Sequence, residues 1–216
     1  MKIYLIRHGE STSDVKERYD EDYDDNLTKK GIKEAGVIAK KLSNSNIEII
    51  FTSPKIRALQ TTKILKSELN CKTMVLDDLS EQDIYGAYPE LSKDQPEEEY
   101  RRLGEILADQ DEIIEGVETY SHFKKRVVKS FSELIRQDFN VIAIVTHGGP
   151  IRIIFREILK LGEFKKIGNA SIILLEKNKS LLRVIKIDGA ALASQPPAPQ
   201  PTHFDKKYFH QRSMVP

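Results

Sequence analysis

The run Val141-Ile142-Ala143-Ile144-Val145 constrains the fold more than any other stretch. β-Branched residues fill most of it and no polar residue alternates with them. It therefore predicts a strand buried on both faces, as in the centre of a parallel sheet covered by helices. It stops at His147-Gly148-Gly149-Pro150, and a helix is expected over 151–160, closed by Gly162. Residues 2–6 form a second apolar run, ending at Arg7, His8 and Gly9, and residues 47–51 and 72–76 read as further short strands. Between them, Thr28 is placed to cap a helix with Ile32, Ala35, Ala39 and Leu42 as its apolar stripe. Ser53-Pro54 reads as an N-cap followed by proline at the first helical position, with Ala58, Thr62, Leu65 and Leu69 facing inward. Pro96 opens another helix, and Thr119 caps a longer one carrying Phe123, Val127, Phe131 and Leu134 at spacings of three or four. Residues 171–176 and 182–187, linked through Asn178, read as a final hairpin. Strands alternating with helices predict an α/β fold: a three-layer α/β/α sandwich around a mostly parallel sheet with an antiparallel edge.

The length of 216 residues suits one substantial domain. We expect residues 1–188 to form it, with a small helical lid at roughly 82–137, and residues 189–216 to form a Pro-rich, disordered tail. The tail's end, HFDKKYFHQR, reads either as a docking motif or as a solvated segment. With 34 basic and 33 acidic side chains the net charge is +1, so no nucleic-acid footprint is expected. Any anion must be held by a local cluster. Cys71 is the single cysteine, which excludes an internal disulfide. No apolar run reaches membrane-spanning length, so a cytoplasmic protein without membrane partners is expected, as monomer or homodimer. The acidic run Asp20, Glu21, Asp22, Asp24, Asp25 lacks the glycine and terminal glutamate of an EF-hand loop and reads as a solvated loop. No metal site and no cofactor are expected.

Ligands of a parallel α/β sheet bind at the carboxyl ends of its strands. His8 and His147 both stand at such ends, each beside glycine, so neighbouring strands would aim both imidazoles into one crevice. Arg7 precedes the first histidine, and Arg57 lies one turn into the helix opened by Ser53-Pro54. Two guanidinium groups and two imidazoles around one point make a pocket for a phosphate dianion.

These residues sit in segments that resemble the histidine phosphatase, or phosphoglycerate mutase-like, superfamily. Leu5-Ile6-Arg7-His8-Gly9-Glu10-Ser11 is similar to its signature, and Asn26-Leu27-Thr28-Lys29-Lys30-Gly31 to its next element. Thr52-Ser53-Pro54-Lys55-Ile56-Arg57-Ala58-Leu59-Gln60-Thr61-Thr62, Leu79-Ser80-Glu81 and Val145-Thr146-His147-Gly148-Gly149-Pro150-Ile151-Arg152 follow in the family's order. The resemblance implies a phosphoglycerate mutase-like fold and attack by His8 on phosphorus. Arg7, Arg57, His147 and Gly148 would hold the phosphoryl group and Glu81, with Asp83 as its rival, would be the acid. The compact stretch between Glu81 and His147 resembles the phosphatase branch. It implies a metal-independent phosphatase of a small phosphorylated metabolite; a phosphoglycerate mutase using the same site, and a non-catalytic phosphate-binding scaffold, are the alternatives. Ser11, Asp14 and Glu118 are further pocket candidates, and Tyr85, Tyr88 and Tyr100 candidates for packing or for the leaving-group side. Asp14 stands where the family usually has an amide or small residue. A carboxylate there opposes a dianion unless it turns away or pairs with Arg18 or another base. Glu118 is either a pocket residue or a charge at a helix N-terminus.

Overall fold

The computed structural model describes residues 1–15, 26–83, 116–179 and 181–193. Six strands form one sheet in the order β3-β2-β4-β1-β5-β6. These are β1 (Lys2–Arg7), β2 (Ile49–Thr52), β3 (Lys72–Val75), β4 (Val141–Thr146), β5 (Phe164–Asn178) and β6 (Leu181–Leu192). β1, β2, β3 and β4 pair in parallel, while β5 runs antiparallel to both β1 and β6. The 141–145 run is indeed central: β4 lies between β2 and β1, pairing Ile3 with Ile142 and Leu5 with Ile144.

Alternation along the strands divides the core in two. Ile3, Leu5, Ile142 and Ile144 pack on one side with helix α4 (Tyr120–Leu134) and helix α5 (Gly148–Ile153). Ile6, Ile50, Ala143 and Val145 pack on the other with helix α2 (Lys29–Leu42) and helix α3 (Ile56–Leu69). This is the expected three-layer α/β/α sandwich. A four-residue helix, α1 (Thr12–Val15), and a 3₁₀ turn, Asp77–Leu79, lie at the carboxyl edge of the sheet.

Several elements depart from the sequence reading. In α2 the inward face is Gly31, Ala35, Ile38, Ala39 and Leu42, whereas Ile32 is 52% exposed. The rotation is set by Gly31, where a Cβ would meet the Glu10 carbonyl oxygen at 1.9 Å. α3 starts at Ile56 rather than at Pro54, because the Ser53 hydroxyl accepts from the Lys55 N–H and so holds a turn ahead of the helix. α5 begins at Gly148, three residues early. It runs on as a π-helical turn, Ile154–Leu159, that ends at Lys160 with φ 56°. The hairpin strands are longer than read. β5 carries register shifts between Ile167 and Ile172 and a left-handed Ala170, which break the alternation that marks a strand. Residues 189–192, read as the start of the tail, belong to β6 and pair with the start of β5. α4 was placed in the lid by the sequence, but Phe123, Val127, Phe131 and Leu134 are buried in the sheet core, so it is a layer helix. The expected helix after Pro96, Tyr85, Tyr88, Tyr100, Arg18, the acidic run and residues 194–216 lie outside the described residues.

Candidate active site

His8 is the first residue after β1, and its backbone stays in the sheet. Its N–H donates to Thr146 O (3.0 Å) and its carbonyl accepts from Ala170 N (2.9 Å). Gly9 then turns the chain onto α2, where a Cβ would lie 2.5 Å from Gly31 O. The tight turn brings the Gly9 carbonyl back to His8 Nδ1 at 2.8 Å. A carbonyl only accepts, so Nδ1 carries the proton and Nε2 keeps its lone pair. Toward Nε2 points the Nε–H of Arg57, 3.2 Å away, from the first turn of α3.

His147 follows β4, one strand over, and its ring centroid is 5.0 Å from that of His8. Its Nε2 is 2.7 Å from Ser53 Oγ. The Nδ1 atom is buried and has no hydrogen-bond partner among the described residues. Burial, followed by Arg57 and Arg7, lowers the His8 pKa to about 3. Burial, followed by His8 and Arg57, holds His147 well below its ordinary value. Both rings are therefore neutral at physiological pH. The structure thus brings His8, His147 and Arg57 together as the sequence implied.

Arg7 and Asp14 form an ion pair at 2.7 Å, and Arg7 Nη1 also donates to Ile167 O. Asp14 Oδ2 accepts from both the N–H and the hydroxyl of Ser11, each at 2.9 Å. It lies 3.9 Å from His8 Nδ1. Burial tends to raise the Asp14 pKa, but the Ser11 N–H and Arg7 outweigh it and hold the carboxyl below its usual range. The unusual carboxylate has thus found its base in Arg7.

Glu81 reaches the turn after His147, where its Oε2 accepts from Gly149 N (3.0 Å) and its Oε1 from Gln82 N (3.1 Å). α5 leaves its first N–H groups without helical partners, which is why Gly149 has a donor to offer. Glycine leaves room for this contact: a Cβ would sit 1.9 Å from Glu81 Oε1 and 2.9 Å from Phe123 Cζ, and would displace the carboxylate. Asp83 is exposed, and its backbone, both N–H and C=O, meets Glu118. Gly148 lies farther from Glu81, with its Cβ position 4.0 Å from Glu81 Oε2. Glu118 binds Arg126 through both carboxylate oxygens and His122 through one.

Residues 3–187 match the family model of the histidine phosphatase superfamily, branch 1. The chain belongs to the histidine phosphatase superfamily. A 2,3-bisphosphoglycerate-dependent phosphoglycerate mutase from Thermoplasma acidophilum is 32% identical over 82% of this chain and 88% of its own length. Phosphoserine phosphatase 1 of Hydrogenobacter thermophilus is 25% identical over 87% and 92% of the two chains. Among solved structures, a putative α-ribazole-5′-phosphate phosphatase from Escherichia coli superposes with a TM-score of 0.72 at 20% identity. It covers 90% of this chain and 99% of that one, and supports the phosphoglycerate mutase-like fold.

The sequence reading gives Ser53 only an N-cap, quotes Thr61 only within a motif and assigns Arg126 no role. Thr61 Oγ1 accepts from Gly9 N and donates to Arg57 O, joining the two histidine-phosphatase segments. A signal for Arg126 existed. His122 and Arg126 recur at an interval of four on α4, and Glu118, four before His122, stands just ahead of the N-cap Thr119.

Proposed function

We propose that the protein is a metal-independent phosphomonoester phosphatase that carries the phosphoryl group on His8. The observation that supports this most directly is the lone pair of His8 Nε2, held on a buried neutral ring with the Arg57 Nε–H beside it. His8 Nε2 attacks phosphorus in line. The ester P–O bond breaks, and the leaving oxygen takes a proton from Glu81. Glu81, now a carboxylate, takes a proton from water. The water oxygen bonds to phosphorus, the P–N bond breaks and neutral His8 returns. Arg57 and Arg7 balance charge on the equatorial oxygens. Ser53 Oγ accepts from Lys55 N and so has its hydrogen to give to His147 Nε2. That tautomer leaves a His147 Nδ1–H for a phosphoryl oxygen. No step in this scheme calls for a metal.

The metal-independent phosphoserine phosphatase of Arabidopsis thaliana, 25% identical over 79% of this chain, supports hydrolysis of a small phosphorylated metabolite. The Thermoplasma relative supports a second reading, phosphoglycerate mutase activity at the same site. We take residues 1–188, with strand residues 189–192 added, as the catalytic unit. A cytoplasmic location and a monomer or homodimer belong to the same proposal. Phosphoserine, 3-phosphoglycerate and α-ribazole 5′-phosphate, supplied with a chelator present, should release orthophosphate from at least one. Isomerisation of phosphoglycerate primed by 2,3-bisphosphoglycerate, without phosphate release, would establish the mutase instead. Phosphate binding without turnover across the panel would leave only the scaffold.

Asp14 tunes this pocket, because it neutralises Arg7 where an amide would leave a full positive charge. Asp14→Asn should tighten inhibition by orthophosphate about tenfold, the scale of one screened charge a few ångströms away. Inhibition constants for wild type and variant check this, and equal values would mean that Asp14 does not sense the anion.

A further inference from the structure

Four consecutive carbonyls lead up to the side chain of Glu81, and every one accepts from a side chain. Leu79 O takes the hydroxyl of buried Thr146, at 2.6 Å. The other three converge on Arg126. Its Nη1 donates to Asp78 O (2.9 Å) and Ser80 O (3.0 Å), and its Nη2 to Glu81 O (3.0 Å). The remaining donors go to Glu118, Nε to Oε1 at 2.6 Å and Nη2 to Oε2 at 2.7 Å. A guanidinium has five N–H donors in a fixed plane, and all five are used here. Glu118 sets the orientation of that plane, and His122 Nδ1 lies 2.7 Å from the same Glu118 oxygen. Arg126 also covers the Phe123 ring, 4.8 Å from its centroid, and that ring abuts the spot where Glu81 meets Gly149.

We propose that Arg126, oriented by Glu118, is a positioning residue for the acid Glu81. This rests on the reading of Glu81 as the proton donor to the leaving group. The 3₁₀ turn and the buried Leu79 side chain fix the start of the segment Asp78–Glu81, and beyond them this guanidinium and Thr146 hold its carbonyls. Three carbonyl dipoles aimed at one point repel one another unless a cation sits between them. Lysine supplies the charge but not the planar fork, and Arg126→Lys therefore lets the loop relax while the core contacts of α4 remain. A shift of the Glu81 carboxyl matters where the leaving oxygen needs its proton, and matters little where that oxygen leaves readily as an anion.

The test compares kcat/KM for phenyl phosphate and p-nitrophenyl phosphate in the wild type, Arg126→Lys, Glu118→Gln and Glu81→Gln, with melting temperatures alongside. kcat/KM reports the steps up to transfer onto His8, so it isolates the leaving-group proton. We expect Arg126→Lys to lose about a hundredfold on phenyl phosphate, within the range of general acid catalysis, and about threefold on p-nitrophenyl phosphate. Glu118→Gln should lose less, in the same pattern. Equal losses on the two substrates in both clamp variants, while Glu81→Gln discriminates between them, would overturn the positioning role alone. If Glu81→Gln does not discriminate, Glu81 is not the leaving-group acid and both readings fall. Should Arg126→Lys melt well below the wild type, Glu118→Gln, which keeps the shape of its side chain, decides the matter.

Discussion

Replacing His8 by alanine is expected to reduce hydrolysis of every phosphomonoester to background, a loss on the order of 10⁴-fold or more, as for other covalent nucleophiles. His147 cannot take over, because its Nε2 is tied to Ser53 and its ring is 5.0 Å from that of His8. The variant should still fold. Residue 8 is anchored through its backbone, by Thr146 O and Ala170 N, and neither bond involves the imidazole. Stability as a function of pH gives an independent readout. The folded pKa of His8 lies at about 3, below the ordinary 6.5, so below pH 6.5 the unfolded chain binds a proton that the folded chain refuses. This part of the wild-type stability is fully present above pH 6.5 and is lost as pH falls toward 3. His8→Ala removes that titration, and its acid loss of stability should be shallower over the same window, while His147 still titrates in both proteins. Steady-state assays with p-nitrophenyl phosphate and melting curves between pH 4 and 7 check both effects. Residual turnover near the wild-type rate would refute the phosphohistidine route.

The parts of this molecule that were legible in the sequence are those in which one local pattern carries the information. A β-branched run marks the central strand, and histidines after two apolar runs mark the candidate crevice, because ligands of a parallel sheet bind at the carboxyl ends of its strands. Glu81 could be placed by resemblance, but its contact with Gly149 depends on where α5 begins. That start was misread because Gly148 and Gly149 look like a loop rather than a first turn. The apolar face of α4 was recognised, yet the helix was assigned to a lid, since periodicity shows which side is buried and not what it is buried against. The spacing of His122 and Arg126 hints at a shared face, but the partners of Arg126 are hidden for a related reason. Its acceptors are mostly carbonyls from a segment about 45 residues earlier, and backbone acceptors leave no residue-type signature. The Asp14–Arg7 pair lay between these extremes: the sequence posed the charge conflict, and the seven-residue return from Arg7 through Gly9 and Ser11 resolves it.

The second large effect concerns Glu81. Glu81→Gln keeps the length of the side chain and an oxygen to accept from Gly149 N, so the loop should hold its path while the transferable proton is gone. Both halves of the reaction then suffer, for different reasons. Transfer onto His8 slows by about 10²–10⁴-fold for an alkyl phosphate, whose leaving oxygen needs protonation, and far less for p-nitrophenyl phosphate. Hydrolysis of the phosphohistidine slows for both, because the attacking water has lost its base whatever group has left. With p-nitrophenyl phosphate, the first step therefore outruns the second. A stoichiometric burst of nitrophenolate should precede slow turnover, and the protein should carry one acid-labile, alkali-stable phosphoryl group. The double variant His8→Ala with Glu81→Gln should show neither burst nor label. That combination separates an acid–base role from a binding role. Weaker substrate binding would raise KM and lower the burst, whereas loss of the proton carrier leaves the burst intact and traps the intermediate.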